Sequence, residues 1–507
     1  MSTIWAGMFL AVAIGAQGAS AQGAVPAGDA TTQTPLVSSI QTSPSPSPPP
    51  APAPAPFPQV SVQLPIDALM QDAAEYARMF AVPLDEAMHR LRAQAATVAA
   101  TDRLRAAYAD RWAGIAIDHD PVYRIVILLT GNAPVPDQSI AAGGIVVPVM
   151  FHTGAAVTRD RMIRTIEDYQ SRIRDVLPHP PGLGMDPRTG EMIVMISGRD
   201  AELDREGALR ARIAAMTGVP VRIAAIDRPL DDMQTDILVP GNAQDGPPAV
   251  TVEPGVAQTI RGGGRVVGTV EGRRYACTTG FVVTETGQSG QPNQSGKPMR
   301  SGIVTAAHCP DTLRYVDPAT ADVPLDFVGQ WGWGYQDVQL NMPPPGPLPG
   351  PPLAPLFYAD TAKTRLRPVA TWRYRSSTRA GDFVCHRGER TGYSCALVAM
   401  VDFAPAGDLC GGACLPTWVA VEGPTCRSGD SGAPVFDGTT ALGLVKGGTY
   451  RRDGSCLFYY YMSTDYLPQG WSLAYAAQAT ETPAPSTIAP SSTIADRPSL
   501  SGPPSLP

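Results

Sequence analysis

Gly429-Asp430-Ser431-Gly432-Ala433-Pro434 is the stretch on which the reading of this chain turns. Glycines on both sides of the Asp-Ser pair let the backbone turn tightly. In such a turn the N–H groups of Gly429 and Ser431 face one spot, and a hydroxyl beside them attacks a carbonyl while they receive the developing oxyanion. A serine hydroxyl needs a base. Upstream, Thr305-Ala306-Ala307-His308-Cys309 offers His308, and Gly334-Tyr335-Gln336-Asp337-Val338 offers Asp337. His308 would take the hydroxyl proton and return it to the leaving amine. Asp337 would hold the imidazole in one tautomer and stabilise its cation. Asp317, Asp322 and Asp326 lie in the same interval. Asp337 is preferred because it opens a strand-like run.

The order His, Asp, Ser removes two rivals. An elbow-type α/β hydrolase places its histidine after the nucleophile, and the last histidine here is His386. A subtilisin-like arrangement needs Asp before His and a parallel sheet. Around these residues the chain instead offers short β-rich runs separated by turns: 265–270, 275–283, 302–306, 337–340, 395–402, 418–421, 433–436, 441–445 and 457–462. No helical period competes, so the segment reads as an antiparallel barrel or sandwich.

All eight cysteines fall between Cys277 and Cys456. An even number confined to one segment points to disulfides and an oxidising compartment. The N-terminus agrees: residues 4–14 are apolar, and Ala19-Ser20-Ala21 forms a small-residue cleavage site, as in a secretory leader over 1–21. No Lys or Arg precedes the apolar run. That run is far shorter than the ~20 residues a membrane helix needs, so no stable membrane insertion is expected. Across 507 residues, 46 acidic side chains against 39 basic ones argue against a nucleic-acid surface. Proline, serine and alanine dominate residues 22–61, and the tail 478–507 is similar in character; both read as disordered spacers. The proline-rich run 343–355 reads as an exposed loop.

Between the spacer and the cysteines lies an α/β region, residues 62–245. Helical spacing runs through 66–80, 84–112, 159–176 and 202–216; strand-like segments cover 123–129, 145–151, 191–196 and 219–226. Gly182 to Gly184, between prolines, reads as a turn. His89, His119, His152 and His179 are scattered and read as ordinary surface or core residues, not as metal ligands. Neither a cofactor nor a metal is expected.

The segment from about Thr259 to Ala474 resembles the chymotrypsin-like serine peptidases, most of all the bacterial streptogrisin and α-lytic protease group. The resemblance rests on the three segments above, whose order is that of the chymotrypsin triad, and on four more. These are Arg261-Gly262-Gly263, Cys277-Thr278-Thr279-Gly280-Phe281, the loop from Cys385 to Cys395 with its Thr391-Gly392-Tyr393, and Ala441 to Gly448. It implies an all-β fold of two six-stranded antiparallel barrels over 262–477, preceded by an α/β pro-region over 62–245. It also implies the pairs Cys277–Cys309, Cys385–Cys395 and Cys426–Cys456, which leave Cys410 to pair with Cys414. Substrate backbone would lie on Lys446, Gly447 and Gly448, with Lys446 replacing the group's usual serine. The group places an arginine where this chain has His386, to hold the Asp before the nucleophile. His386 or the next residue, Arg387, would therefore hold Asp430. Thr425 and Val445 stand where relatives carry charged specificity residues, so a small or apolar side chain is the expected pocket occupant; Glu422 lies near. Linker 246–261 would hold the maturation cleavage, giving a product that starts between Pro240 and Gly264. The whole reading is a secreted, extracellular or periplasmic, monomeric serine endopeptidase acting on protein or peptide substrates and partnered by its own pro-region. The alternative is a silent pseudoprotease that keeps the barrel as a binding or adhesion module.

Overall fold

The computed structural model describes residues 59–228, 259–286, 300–317, 320–345, 352–407, 409–423 and 425–476, with 231–232, 251–252 and 320–321 as backbone only. The expected leader, most of both linkers and the tail lie outside the described residues.

Two closed barrels form the C-terminal half. In the first, strands Arg273–Thr278 and Val282–Glu285 are two pieces of one bent strand. The first piece pairs with Arg265–Val270 and the second with Ser301–Thr305. Leu313–Asp317, Thr320–Trp331 and Val338–Met342 complete the circuit, so six strands close on themselves. Alternation fills the interior: Val266, Cys277, Val282, Ile303, Leu313, Tyr315 and Leu325 share one buried cluster. The second barrel runs Phe383–Gly388, Pro434–Asp437, Thr440–Tyr450, Cys456–Ser463, Trp418–Glu422 and Gly392–Ala404, and the last pairs back onto the first. Here the period of two is complete on both faces. Val419, Val421, Tyr459 and Tyr461 point into the barrel. Trp418, Ala420, Phe458 and Tyr460 belong to a different cluster that also takes Tyr76 and Leu91 from the N-terminal half. Closure pairs the strands around each barrel, and stretches that overrun a neighbour pair elsewhere.

The N-terminal half is α/β. Helices Pro65–Phe80 and Leu84–Ala107 precede a four-stranded sheet of Trp112–Asp118, Arg124–Thr130, Ile145–Ala155 and Gln138–Ala142. Helices Arg159–Arg174 and Ala208–Thr217 then cover strands Gly182–Met185, Met192–Ser197 and Val221–Ile226 around a second core. Thr158 caps the third helix, its hydroxyl oxygen accepting from the Arg161 N–H.

Several expectations are corrected. The second helix stops at Ala107, and Trp112 begins a strand. Gly182 to Gly184 belong to a strand paired on one side with Met192–Ser197 and on the other with Phe403 and Ala404 of the second barrel; Pro180 and Pro181 precede the strand, so its own carbonyls and amides are available to both neighbours. Gln59–Val62, at the end of the expected spacer, is a strand parallel to Thr251–Val252 and to Arg365–Pro368. The 343–355 loop ends early, since Leu353–Tyr358 is a strand. No helix among the described residues is long and apolar enough to cross a membrane.

Candidate active site

Strands Ser301–Thr305 and Val338–Met342 run antiparallel with Thr305 opposite Gln339. The residue just past one strand and the residue just before the other therefore meet at the same barrel end. Those residues bring His308 and Asp337 together. The Cys277–Cys309 disulfide ties the His308 turn to the neighbouring strand. His308 Nδ1 lies 2.9 Å from Asp337 Oδ2, and the His308 backbone N–H donates to Oδ1 at 3.3 Å. A carboxylate at Nδ1 assigns the proton to that nitrogen, which leaves Nε2 as acceptor. Nε2 is 2.8 Å from Ser431 Oγ. Asp322 instead pairs with Arg314, and Asp317 takes the hydroxyls of Tyr315 and Tyr358.

Ser431 comes from the second barrel. Its turn is fixed from the first barrel by Thr278, whose N–H donates to Ser431 O and whose hydroxyl donates to Gly429 O, both at 2.8 Å. Gly429 has φ 98° and Gly432 φ 83°, the left-handed region that disfavours side chains. A Cβ on Gly432 would also lie 2.3 Å from Thr305 Oγ1. Gly432 N–H donates to Val445 O, and Val445 N–H to Ala433 O, which joins the nucleophile turn to strand Thr440–Tyr450.

Asp430 is fully buried beneath the turn. It accepts from the N–H groups of Arg390, Thr391 and Arg427 and from the Thr391 hydroxyl, at 2.8–3.1 Å. Neither His386 nor Arg387 touches it, which corrects the expectation. Arg387 donates to Gly263 O and to Glu389. His386 Nε2 lies 3.3 Å from the Thr391 hydroxyl, so it reaches Asp430 only through that side chain. The physical reason is the hairpin's N–H groups: they already fill the carboxylate's lone pairs. Burial pushes the Asp430 carboxyl up to about 6, against the pull of those donors. Burial, then Arg387, pushes the His386 imidazole down to about 4. A neutral His386 cannot supply the alkaline loss of activity expected from a protonated one.

Lys446 is placed differently from a solvated edge charge. Its side chain is 2% exposed, with Nζ 3.6 Å from Asp337 Oδ2 and 5.4 Å from the centre of the Trp418 ring. Asp337 is pulled two ways: burial raises its carboxyl, but His308 and then Lys446 hold it down at about 2. Beyond Lys446, Gly448 and Gly447 pair antiparallel with Asp231 and Asp232 of the same chain, and the Thr449 hydroxyl donates to Arg228 O. Beside His308 a cleft of about 540 Å³ is lined by Thr269, Tyr275, Ala307, Pro310 and Asp311. Glu422 is exposed, and Thr425 is partly buried.

The structure pairs Cys277–Cys309, Cys385–Cys395, Cys410–Cys414 and Cys426–Cys456, as the resemblance implied. Asp72 lies close to Cys385 and Cys395, but those sulfurs are bonded to each other and offer no thiolate to a metal. Sequence reasoning missed Thr278, Thr391 and the Lys446–Asp337 contact. Thr278 and Thr391 stood in segments already quoted, and their hydroxyls were the available signal.

No family model and no curated protein matches the chain. Among solved structures, Thermobifida fusca protease A is 20% identical, with TM-score 0.32, covering 43% of this chain and all of that one. Cellulomonas bogoriensis chymotrypsin is 19% identical at TM-score 0.31, again over 43% and all of its length. Nocardiopsis protease is 20% identical at TM-score 0.30, over 40% of this chain and 92% of its own. Likeness this distant says nothing of activity. By its two barrels, the cysteine-bearing half of this chain resembles the chymotrypsin-like bacterial serine proteases.

Proposed function

We propose that this chain is a serine endopeptidase, made as a self-blocked precursor and matured in an oxidising compartment outside the cytoplasm. The observation that carries the reading is His308 bridging Asp337 at 2.9 Å and Ser431 at 2.8 Å. Ser431 Oγ attacks the scissile carbonyl as its proton passes to His308 Nε2. Asp337 stabilises the imidazolium that forms. The N–H groups of Gly429 and Ser431 receive the oxyanion, a contribution of about 3 kcal/mol for one donor. Collapse passes the proton from Nε2 to the leaving amine and leaves an acyl ester on Ser431. Water, deprotonated by His308, hydrolyses that ester and restores the serine.

Self-blocking is supported by strand Asp231–Asp232, which adds to Gly447 and Gly448 as an extended substrate backbone would. The N-terminal half then acts as pro-region. A cut between Asp232 and Thr259 leaves the barrels intact. It does not fall at Arg261, which is fully buried in a strand pair with Leu353–Tyr358. The pocket occupant is a small or apolar side chain, in keeping with the uncharged Thr425 and Val445 at the positions where relatives carry charged specificity residues. The test is labelling of the secreted product with a fluorophosphonate, alongside hydrolysis of a denatured protein. Wild type is expected to label at Ser431 and to cut, whereas His308→Ala does neither. An unlabelled, inactive wild type that is folded and disulfide-bonded would sink this reading in favour of a binding module.

A further inference from the structure

Lys446 precedes the two glycines of the cleft strand, yet its side chain turns toward the triad. The Asp337 oxygen that faces His308 Nδ1 at 2.9 Å also faces Lys446 Nζ at 3.6 Å. Both charged side chains, Asp337 and Lys446, are 2% exposed, and Trp418 packs against the ammonium. The charged groups recorded at this carboxylate, among the described residues, are His308 from the first barrel and Lys446 from the second. Met462, whose sulfur receives the Asp337 N–H, and Trp418 carry no charge.

The consequence follows from Coulomb's law. Unit charges this close, both shielded from water, interact strongly. The ammonium therefore holds Asp337 ionised, and it also competes with the imidazolium for the same oxygen. We propose that Lys446 is a positioning residue of the triad: it anchors Asp337 from the second barrel and makes His308 harder to protonate, which extends the working range of the serine toward acid. The structural part concerns His308 alone; the consequence for activity rests on the peptidase reading.

The test uses the full chain carrying Ser431→Ala, so that no self-cutting intervenes. The His308 imidazole is titrated by NMR with Lys446 in place and with Lys446→Met, which keeps the length and removes the charge. The midpoint is expected to rise by about one unit or more in the Met variant, a tenfold gain in proton affinity, and to stay near the parent value in Lys446→Arg. If Lys446→Met does not fold, Lys446→Ser is read in the same way. A midpoint that moves by less than about a third of a unit overturns the proposal. In chains that keep Ser431, the acid limb of fluorophosphonate labelling should move upward with the NMR midpoint. Should the midpoint move while wild-type Ser431 never labels, the peptidase reading fails and the Lys446 assignment stands. Should Ser431 label and the midpoint stay fixed, the reverse holds.

Discussion

Between Cys277 and Cys456 four disulfides tie the barrels; residues 59–228 contain no cysteine at all. The two halves nevertheless bury polar groups against each other. Asp72 of the first helix receives both Arg367 nitrogens, at 2.8 and 2.9 Å, and the Tyr393 hydroxyl at 2.5 Å. Gln94 exchanges two hydrogen bonds with the Phe383 backbone, and its carbonyl takes Arg379. Arg159 grips Asp402 with two bonds of 2.6 Å, and His119 Nε2 lies 2.7 Å from Gly381 O. The difference teaches a division of labour. The barrels are cross-linked where chemistry needs fixed geometry. Their outer face is satisfied by the N-terminal half, which carries no disulfide. On this account the N-terminal half assists folding by supplying Arg367 with its carboxylate, Asp72, and by adding Gln94 and Arg159 to the partners that Arg379 and Asp402 already have in Asp382 and Arg375.

The comparison is broken most severely at the triad. His308→Ala should lower kcat/KM by about 10⁴-fold or more while the far-ultraviolet spectrum and the four disulfides persist. Removing Asp72 tests the interface. Asp72→Ala leaves the Arg367 guanidinium buried without its carboxylate, which should cost about 3–5 kcal/mol in urea unfolding of the full chain. An unchanged midpoint would mean that the halves do not depend on each other.

Within the barrels, the disulfides should separate by loop length. Replacing Cys277 and Cys309 by alanine, with a sequence separation of 32, should cost about 4 kcal/mol. Replacing Cys410 and Cys414, with a separation of 4, should cost about 2. Equal costs would contradict the chain-entropy account of these braces.

The smallest effect sharpens the interface through pH. Burial holds the His119 imidazole at about 4, below its ordinary 6.5, with both ring nitrogens engaged. The folded state therefore keeps this histidine neutral while the unfolded chain protonates it. Stability from this group is full well above pH 6.5 and falls as pH drops through 6.5 toward 4, by about 2.5 kcal/mol at pH 4.5. In His119→Gln that part of the acid sensitivity should disappear from the difference between urea midpoints at pH 7 and pH 4.5.

What was legible in the sequence was local. His308, Asp337 and Ser431 stand in short segments whose neighbours fix the backbone, and cysteine spacing carried the pairing once a resemblance was in hand. Continuous apolar and aromatic runs, such as Cys456–Ser463, were also visible as strands. Leu313–Asp317 and Thr320–Trp331 were missed because Pro324, Gly329 and three aspartates blur their period. The side-chain partner of Lys446 was missed for a deeper reason. Its contact depends on how one barrel's strand lies against the other barrel's turn, and no neighbour in the chain encodes that distance. Asp430 was assigned a cationic partner by likeness, whereas the hairpin N–H groups of Arg390 and Thr391 satisfy it.

The most direct test of the central claim is the intact mass and N-terminal sequence of the secreted product, from wild type and Ser431→Ala made in parallel. The account predicts a wild-type product that begins between residues 233 and 259, while Ser431→Ala keeps its N-terminal half attached. Two chains cut alike, or two left equally whole, would contradict it.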